Sequence, residues 1–235
     1  MDAIVILFIT IAIINGLLHK DNGYLYCGLF GFTGHENVNI EKFKMGLWDN
    51  QSRGSHSTGV YGKSMFKSAV EAKKLISMHD EFVEAAKAKN VIGHTRYATK
   101  GAQTKENAHP FQYGNVVGAH NGWLVNEKLS AERFGFEYSY TDVDSMLIFK
   151  VINKMQDPKE IINIEGKMAL IFMMDEYFYA YRRASNPLYI GEAKEGYYFS
   201  SIESTLEMIG CNSIDEIETD ILYKFKNGGQ VEELS

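Results

Sequence analysis

Seven histidines and two cysteines, Cys27 and Cys211, are the first residues to test for chemistry. A zinc site needs ligands at short, fixed spacings. The chain has no Cys-x-x-Cys, no His-Glu-x-x-His and no histidine pair at helical spacing, so neither a metal nor a cofactor is expected. The glycines after Cys27 do not form the Gly-x-Gly-x-x-Gly turn of a dinucleotide site, and no Walker sequence occurs. Ser55 and Ser57 lie in a glycine-flanked turn without the pattern of a nucleophile elbow. Asn121-Gly122, between apolar runs, reads locally as a hairpin turn. What remains is a series of short polar segments, each weak by itself.

Taken in order, those segments are specific. Cys27-Gly28-Leu29-Phe30-Gly31 is followed by Arg53-Gly54 with Ser57 and Gly59, then Gly93-His94-Thr95-Arg96-Tyr97-Ala98-Thr99. Asn107-Ala108-His109-Pro110-Phe111, His120-Asn121-Gly122 and Thr141-Asp142 complete the set. The series resembles the glutaminase domain of class II glutamine amidotransferases, which are N-terminal nucleophile hydrolases. That family includes the glutamine domains of glucosamine-6-phosphate synthase and phosphoribosyl-pyrophosphate amidotransferase, and the resemblance runs from Cys27 to about Gly210. It implies an α+β fold, a four-layer αββα sandwich, and hydrolysis of the side-chain amide of L-glutamine through a γ-glutamyl thioester on Cys27.

Amide hydrolysis needs a nucleophile, a base to take its proton and donors for the developing oxyanion. An N-terminal cysteine supplies the first two, because a thiol of pKa about 8.5 stands beside an α-amine of about 7.7–8.0. The resemblance therefore implies that the bond between Tyr26 and Cys27 is cut. It assigns the oxyanion donors to the Asn121 side chain and the Gly122 backbone N–H. It assigns the substrate's α-carboxylate to Arg96, whose guanidinium fork suits a carboxylate, and the α-ammonium to Asp142. Thr99 and His109 fall where the family lines or orders the substrate loop, and Arg53 where an arginine supports the nucleophile from behind. The chain departs from the family pattern at His56, where an acidic residue is common, at Asp144 for Glu, and at Tyr97 for a Trp of the synthase branch.

The elements that must position these groups follow from periodicity. Residues 27–32 alternate small and large, a strand signal, and Val91 to Tyr97 reads as another strand. Ile40 to Asp49 reads as a helix with Phe43, Leu47 and Trp48 inward, and residues 69–89 as a helix broken near His79-Asp80. Thr99 to Gln112 reads as a long polar loop. Thr141 and Asp144 have capping-box spacing ahead of a helix whose inward face is Leu147, Ile148, Val151, Ile152 and Met155. A short helix after Pro158, strands over 168–174, 177–182, 188–191 and 197–200, a helix over 202–209 and a closing strand over 222–225 complete the reading. Strands in clusters with helices between them favour layered α+β over a doubly wound fold.

Residues 1–26 differ from this body, 27–235. The run from Ala3 to Ile14 is apolar except for Thr10, and Leu17-Leu18 extend it. A secretory signal wants a basic flank, yet Asp2 is the only charge ahead of the run. A lipoprotein reading fails because Tyr24-Leu25-Tyr26 precedes the cysteine. A pro-segment removed to expose Cys27, a membrane anchor through residues 3–18, and an integral structural element stay open, with the resemblance favouring the pro-segment. The 235 residues are 45% hydrophobic and 23% charged, which excludes wholesale disorder. A net charge of −6 argues against a nucleic-acid partner. Two cysteines cannot form a disulfide framework, so a reducing, cytoplasmic setting is expected. Family members usually fuse this domain to one that consumes ammonia; here either a separate synthase subunit takes it or the protein is a free-standing amidohydrolase. Two other readings stand beside glutaminase: the same fold acting on another amide, and a tethered module blocked at Cys27.

Overall fold

The computed structural model describes residues 27–139 and 143–234. The apolar segment 1–26, with its pro-segment and anchor readings, lies outside them, as do Thr141 and Asp142. In chain order the elements are β1 (Gly28–Gly34), α1 (Ile40–Asn50), β2 (Ser57–Tyr61), β3 (Met65–Ser68), α2 (Ala72–Ser77), α3 (His79–Ala86) and β4 (Asn90–Arg96). Then follow β5 (Phe111–Tyr113), β6 (Val116–Leu124), α4 (Glu127–Arg133), α5 (Ser145–Met155), a 3-10 turn (Pro158–Asn163), β7 (Gly166–Met174) and β8 (Tyr177–Arg183). The last are β9 (Tyr189–Ala193), β10 (Gly196–Ser200), α6 (Glu203–Met208), β11 (Asn212–Glu216), β12 (Leu222–Lys226) and β13 (Gln230–Leu234).

The strands form a seven-stranded sheet, ordered β11-β9-β10-β1-β4-β2-β3, and a six-stranded one, ordered β13-β12-β8-β7-β6-β5. Successive strand residues face opposite sides, and β1 is buried on both. Leu29 turns inward with Ile92 and Phe199 to meet Ala119, Ala169, Ile171 and Phe178 of the second sheet. Phe30 and Phe32 turn outward under α1 and α3, against Phe43, Leu47 and Phe82. Leu170 and Phe172 of β7 carry α5 through Leu147, Ile148, Val151 and Ile152. Helix, sheet, sheet and helix are thus the four layers of the αββα sandwich.

Several local expectations are corrected. Asn121-Gly122 does not turn: β6 runs straight through it, paired with β7 from Val116↔Met174 to Leu124↔Gly166. The turn signal is overridden because Gly122 has φ +136° and its missing Cβ makes room for the Lys167 carbonyl, which a Cβ would meet at 1.9 Å. Helix α5 begins at Ser145, whose N–H is capped by Asp144 itself at 2.9 Å, so Asp144 is the cap and not the third residue of a box begun at Thr141. Trp48 is 38% exposed and Met155 47% exposed, so both leave the inward faces drawn for them. Strand β5 interrupts the polar loop, α4 lies where no helix was expected, and β11 and β13 extend the sheets. Residues 230–234, beyond the closing strand of the sequence reading, pair as β13 with β12.

Candidate active site

Cys27 stands at the entrance of β1, the middle strand of the first sheet. Gly28 pairs with Thr95 of β4, which sets Cys27 beside Arg96 and Tyr97. Only glycine fits at 28, because a Cβ would lie 2.5 Å from the Asn50 carbonyl and the Thr95 hydroxyl. Cys27 Sγ sits 3.3 Å from the Tyr97 N–H and 3.5 Å from its carbonyl oxygen. The Cys27 carbonyl accepts from Arg53 Nε at 2.9 Å and from Asn121 Nδ2 at 2.7 Å. Burial pushes the thiol up to about 11, against the Tyr97 N–H and the charges of Arg96 and Arg53, which pull it down. Little thiolate therefore exists at neutral pH.

Asn121 bridges the two sheets. Its Nδ2 also donates to Ser201 Oγ at 2.9 Å, and its Oδ1 lies 3.0 Å from His94 Nε2 on β4. Its backbone carbonyl accepts from Asn186 Nδ2 at 2.9 Å. Ser201 Oγ in turn accepts from the Leu29 N–H at 3.0 Å, closing a ring of bonds around the start of β1.

Arg96 is buried at the end of β4. Its guanidinium donates to the Ala102 carbonyl at 3.1 Å and to that of Lys100, tying down the loop that carries Thr99, which is exposed. Lys100 extends the tie by pairing with Glu127 of α4 and reaching Tyr138 Oη at 3.1 Å. His56 supports the same corner: its Nδ1 accepts from the Ala98 N–H at 2.9 Å and its ring stacks on Tyr97.

His109 lies in the interior, behind the strand that bears Asn121. Its Nδ1 accepts from the His120 N–H at 3.3 Å and its ring lies 4.1 Å from that of His94. His120 Nδ1 meets Ser145 Oγ at 2.9 Å, and Asp144 Oδ2 accepts from the Leu124 N–H at 3.0 Å. Burial depresses all three histidines, His94 to about 3, so they are neutral supports rather than charged groups.

Cys27, Arg53, Arg96 and Asn121 therefore converge on one corner, with Gly122 next along β6. Thr99 lies on the adjoining loop, His109 beneath it, and Asp142 outside the described residues. Sequence reasoning gave no role to His94, Ser201 or Asn186. His94 stood in a quoted motif without an assigned partner, whereas Ser201 and Asn186 carry no local signal.

A family model described as "Glutamine amidotransferases class-II" matches residues 54–180, more than half of the chain. The chain belongs to the class II glutamine amidotransferases. Arg96, Asn121 and Gly122 fall inside that match; Cys27 and Arg53 precede it and are joined to it by the bonds above. The amidotransferase chain is 28% identical over 205 residues to an amidophosphoribosyltransferase of Archaeoglobus fulgidus, covering 77% of this chain and 44% of that protein. It is 31% identical over 230 residues to a glutamine–fructose-6-phosphate aminotransferase (isomerizing) of Methanosarcina mazei, covering 83% and 36%. Among solved structures, the glutamine phosphoribosylpyrophosphate amidotransferase of B. subtilis, complexed with ADP and GMP, superposes with TM-score 0.75 at 23% identity, over 89% of this chain and 49% of that one. At that identity the likeness is one of fold. The chain spans less than half the length of these relatives.

Among the described residues, no helix is long and apolar enough to cross a membrane.

Proposed function

We infer that this amidotransferase domain hydrolyses the side-chain amide of L-glutamine to glutamate and ammonia, with Cys27 as nucleophile once the Tyr26–Cys27 bond has been cut. The observation that carries the reading is the clamp on Cys27, whose carbonyl is held by Asn121 and Arg53 while its sulfur rests against the Tyr97 N–H. A thiol raised to about 11 needs a base during attack. The amide nitrogen that Cys27 has while Tyr26 precedes it cannot accept that proton, whereas the freed α-amine can.

The reaction then runs in two halves. The α-amine takes the thiol proton as Sγ bonds to the amide carbon, and the carbonyl electrons move onto oxygen. The Asn121 amide and the Gly122 N–H donate to that oxyanion. Collapse breaks the C–N bond, the proton passes from the amine to the departing nitrogen, and ammonia leaves a γ-glutamyl thioester. Water, deprotonated by the same amine, attacks the thioester; the C–S bond breaks, the thiol is reprotonated and glutamate is released.

Arg96 binds the substrate α-carboxylate and Asp142 its α-ammonium, which selects a free amino acid over a peptide. The guanidinium already holds the Lys100 and Ala102 carbonyls, so substrate binding and the order of the Thr99 loop are coupled through one side chain. His109 and Arg53 act from behind, on the strand and on the nucleophile's own backbone. The ammonia goes to a synthase unit, a reading supported by relatives whose chains extend well beyond the matched region. A cytoplasmic setting suits two free cysteines, Cys27 and Cys211.

Intact mass and ammonia release test this together. Protein starting at Cys27 is expected to release ammonia from glutamine, and Cys27→Ala to release none. Ammonia release persisting in Cys27→Ala overturns the mechanism. Faster turnover of another amide than of glutamine overturns the substrate assignment.

A further inference from the structure

We propose that His94 is a positioning residue that fixes which way the Asn121 amide faces and so keeps its N–H groups aimed at the nucleophile; the inference rests on the glutaminase reading above. The argument is one of donors and acceptors. Asn121 Nδ2 lies 2.7 Å from the Cys27 carbonyl, an oxygen that can only accept, so that end of the amide must be the NH2 group. The other end is then the oxygen, and it lies 3.0 Å from His94 Nε2. An acceptor there requires the proton on Nε2, which sets the His94 tautomer. Ser201 Oγ, the third neighbour at 2.9 Å, does not discriminate, because a hydroxyl serves either an N–H or an oxygen.

Two contacts therefore decide the amide's orientation, and one of them is spent during the reaction. As Cys27 Sγ bonds to the amide carbon, the oxyanion forming on the substrate's carbonyl oxygen draws an Asn121 N–H away from the Cys27 carbonyl. His94 is the contact that remains, at the end of the amide the substrate never touches. Its own ring is held by the His109 ring 4.1 Å away, and His94 sits in mid-strand, paired with Leu29 and Gly59. Both His94 and Asn121 are buried, so water does not replace a lost partner. Burial also keeps His94 neutral, and the same tautomer is present across the working pH range.

The test compares two amides of different reach. In His94→Gln the side-chain N–H extends to the depth of Nε2, whereas in His94→Asn it stops at the depth of Nδ1. His94→Gln is expected to keep kcat within about tenfold of wild type, and His94→Asn to lose about 10²–10³ in kcat with KM little changed, as for a lost oxyanion donor. In an Asn121→Ala background His94→Asn should cost little more, because the two act as a unit. Equal kcat for the Gln and Asn variants, or a full loss that persists without Asn121, overturns the proposal. If a buried substitution fails to fold, the 15N spectrum of wild-type His94 decides: the Nε2–H tautomer is expected, and the Nδ1–H tautomer overturns it. Absence of Cys27-dependent glutamine hydrolysis in wild type would defeat the glutaminase reading, while the tautomer still decides whether His94 donates to Asn121.

Discussion

The interface between the two sheets has two ends, built from the same strands by different forces. On β4 the inward face reads Ile92, His94, Arg96; on β6 it reads Val117, Ala119, Asn121; on β1, extended by one residue, it reads Gly31, Leu29, Cys27. In each strand the same period-two face passes from apolar to polar within about four residues. At the apolar end Ile171, Phe178, Phe199 and Phe225 fill the gap, with Phe178 and Phe199 stacked at 5.1 Å. At the polar end Cys27, His94, Asn121 and Ser201 are joined by directional bonds of 2.7–3.0 Å. Burial of area is non-directional, so the apolar end sets how firmly the sheets hold together. Buried polar groups penalise every unmatched partner, so the polar end sets where individual atoms lie.

That contrast can be broken at either end. The largest effect is expected from Phe178→Ala, which empties the middle of the apolar end. It should cost about 3–5 kcal/mol in urea unfolding while the folded fraction keeps its kcat. Next is Asn121→Ala at the polar end. It should reduce kcat by about 10²–10³ through loss of the oxyanion donor, with a smaller loss of stability because Cys27, His94 and Ser201 each lose a partner. A fall in stability as large as that of Phe178→Ala, without a fall in kcat, would erase the distinction between the ends.

A third expectation concerns pH. Because burial raises the Cys27 thiol to about 11, the reactive thiolate gains population only as pH rises well beyond the usual cysteine range. In the chain that retains residues 1–26, alkylation of Cys27 by iodoacetamide, read by peptide mass, should stay slow at pH 8 and accelerate towards pH 11. Rapid alkylation at pH 7 in that chain would mean that the charges of Arg53 and Arg96 outweigh burial. The smallest effect should come from Leu129→Gln on α4. Leu129 is 65% exposed, and the change should stay within about 0.5 kcal/mol in the same unfolding measurement.

How much of this was legible beforehand depended on the range of the forces involved. The family and its layered fold were readable because Cys27, Arg96, Asn121 and their glycines sit in short segments whose residue types carry the chemistry. Strand alternation was readable because it is a local period: β4, β7 and β10 fall within two residues of their expected bounds. The failures came where packing overrode a local preference. Asn121-Gly122 carries strong turn chemistry, yet nine paired positions along β7 outweigh it and keep β6 straight. Trp48 and Met155 fit the helical period of the inward faces but lie exposed at the surface.

By itself, then, the sequence determined the family, the order of its motifs and the alternation of strands, and it pointed to Cys27 as the candidate nucleophile. Each of these is written in residues adjacent in the chain. Only the tertiary structure decided that His94, Asn186 and Ser201 gather around Asn121, from strands and loops far apart in sequence. It also placed His109 as a support beneath the site, with its Nδ1 on the His120 N–H. A hydrogen bond across two sheets depends on strand register and on how the sheets face each other. Those are properties of the packed whole, set by burying Leu29, Ile171 and Phe178 together, and no spacing along the chain encodes them.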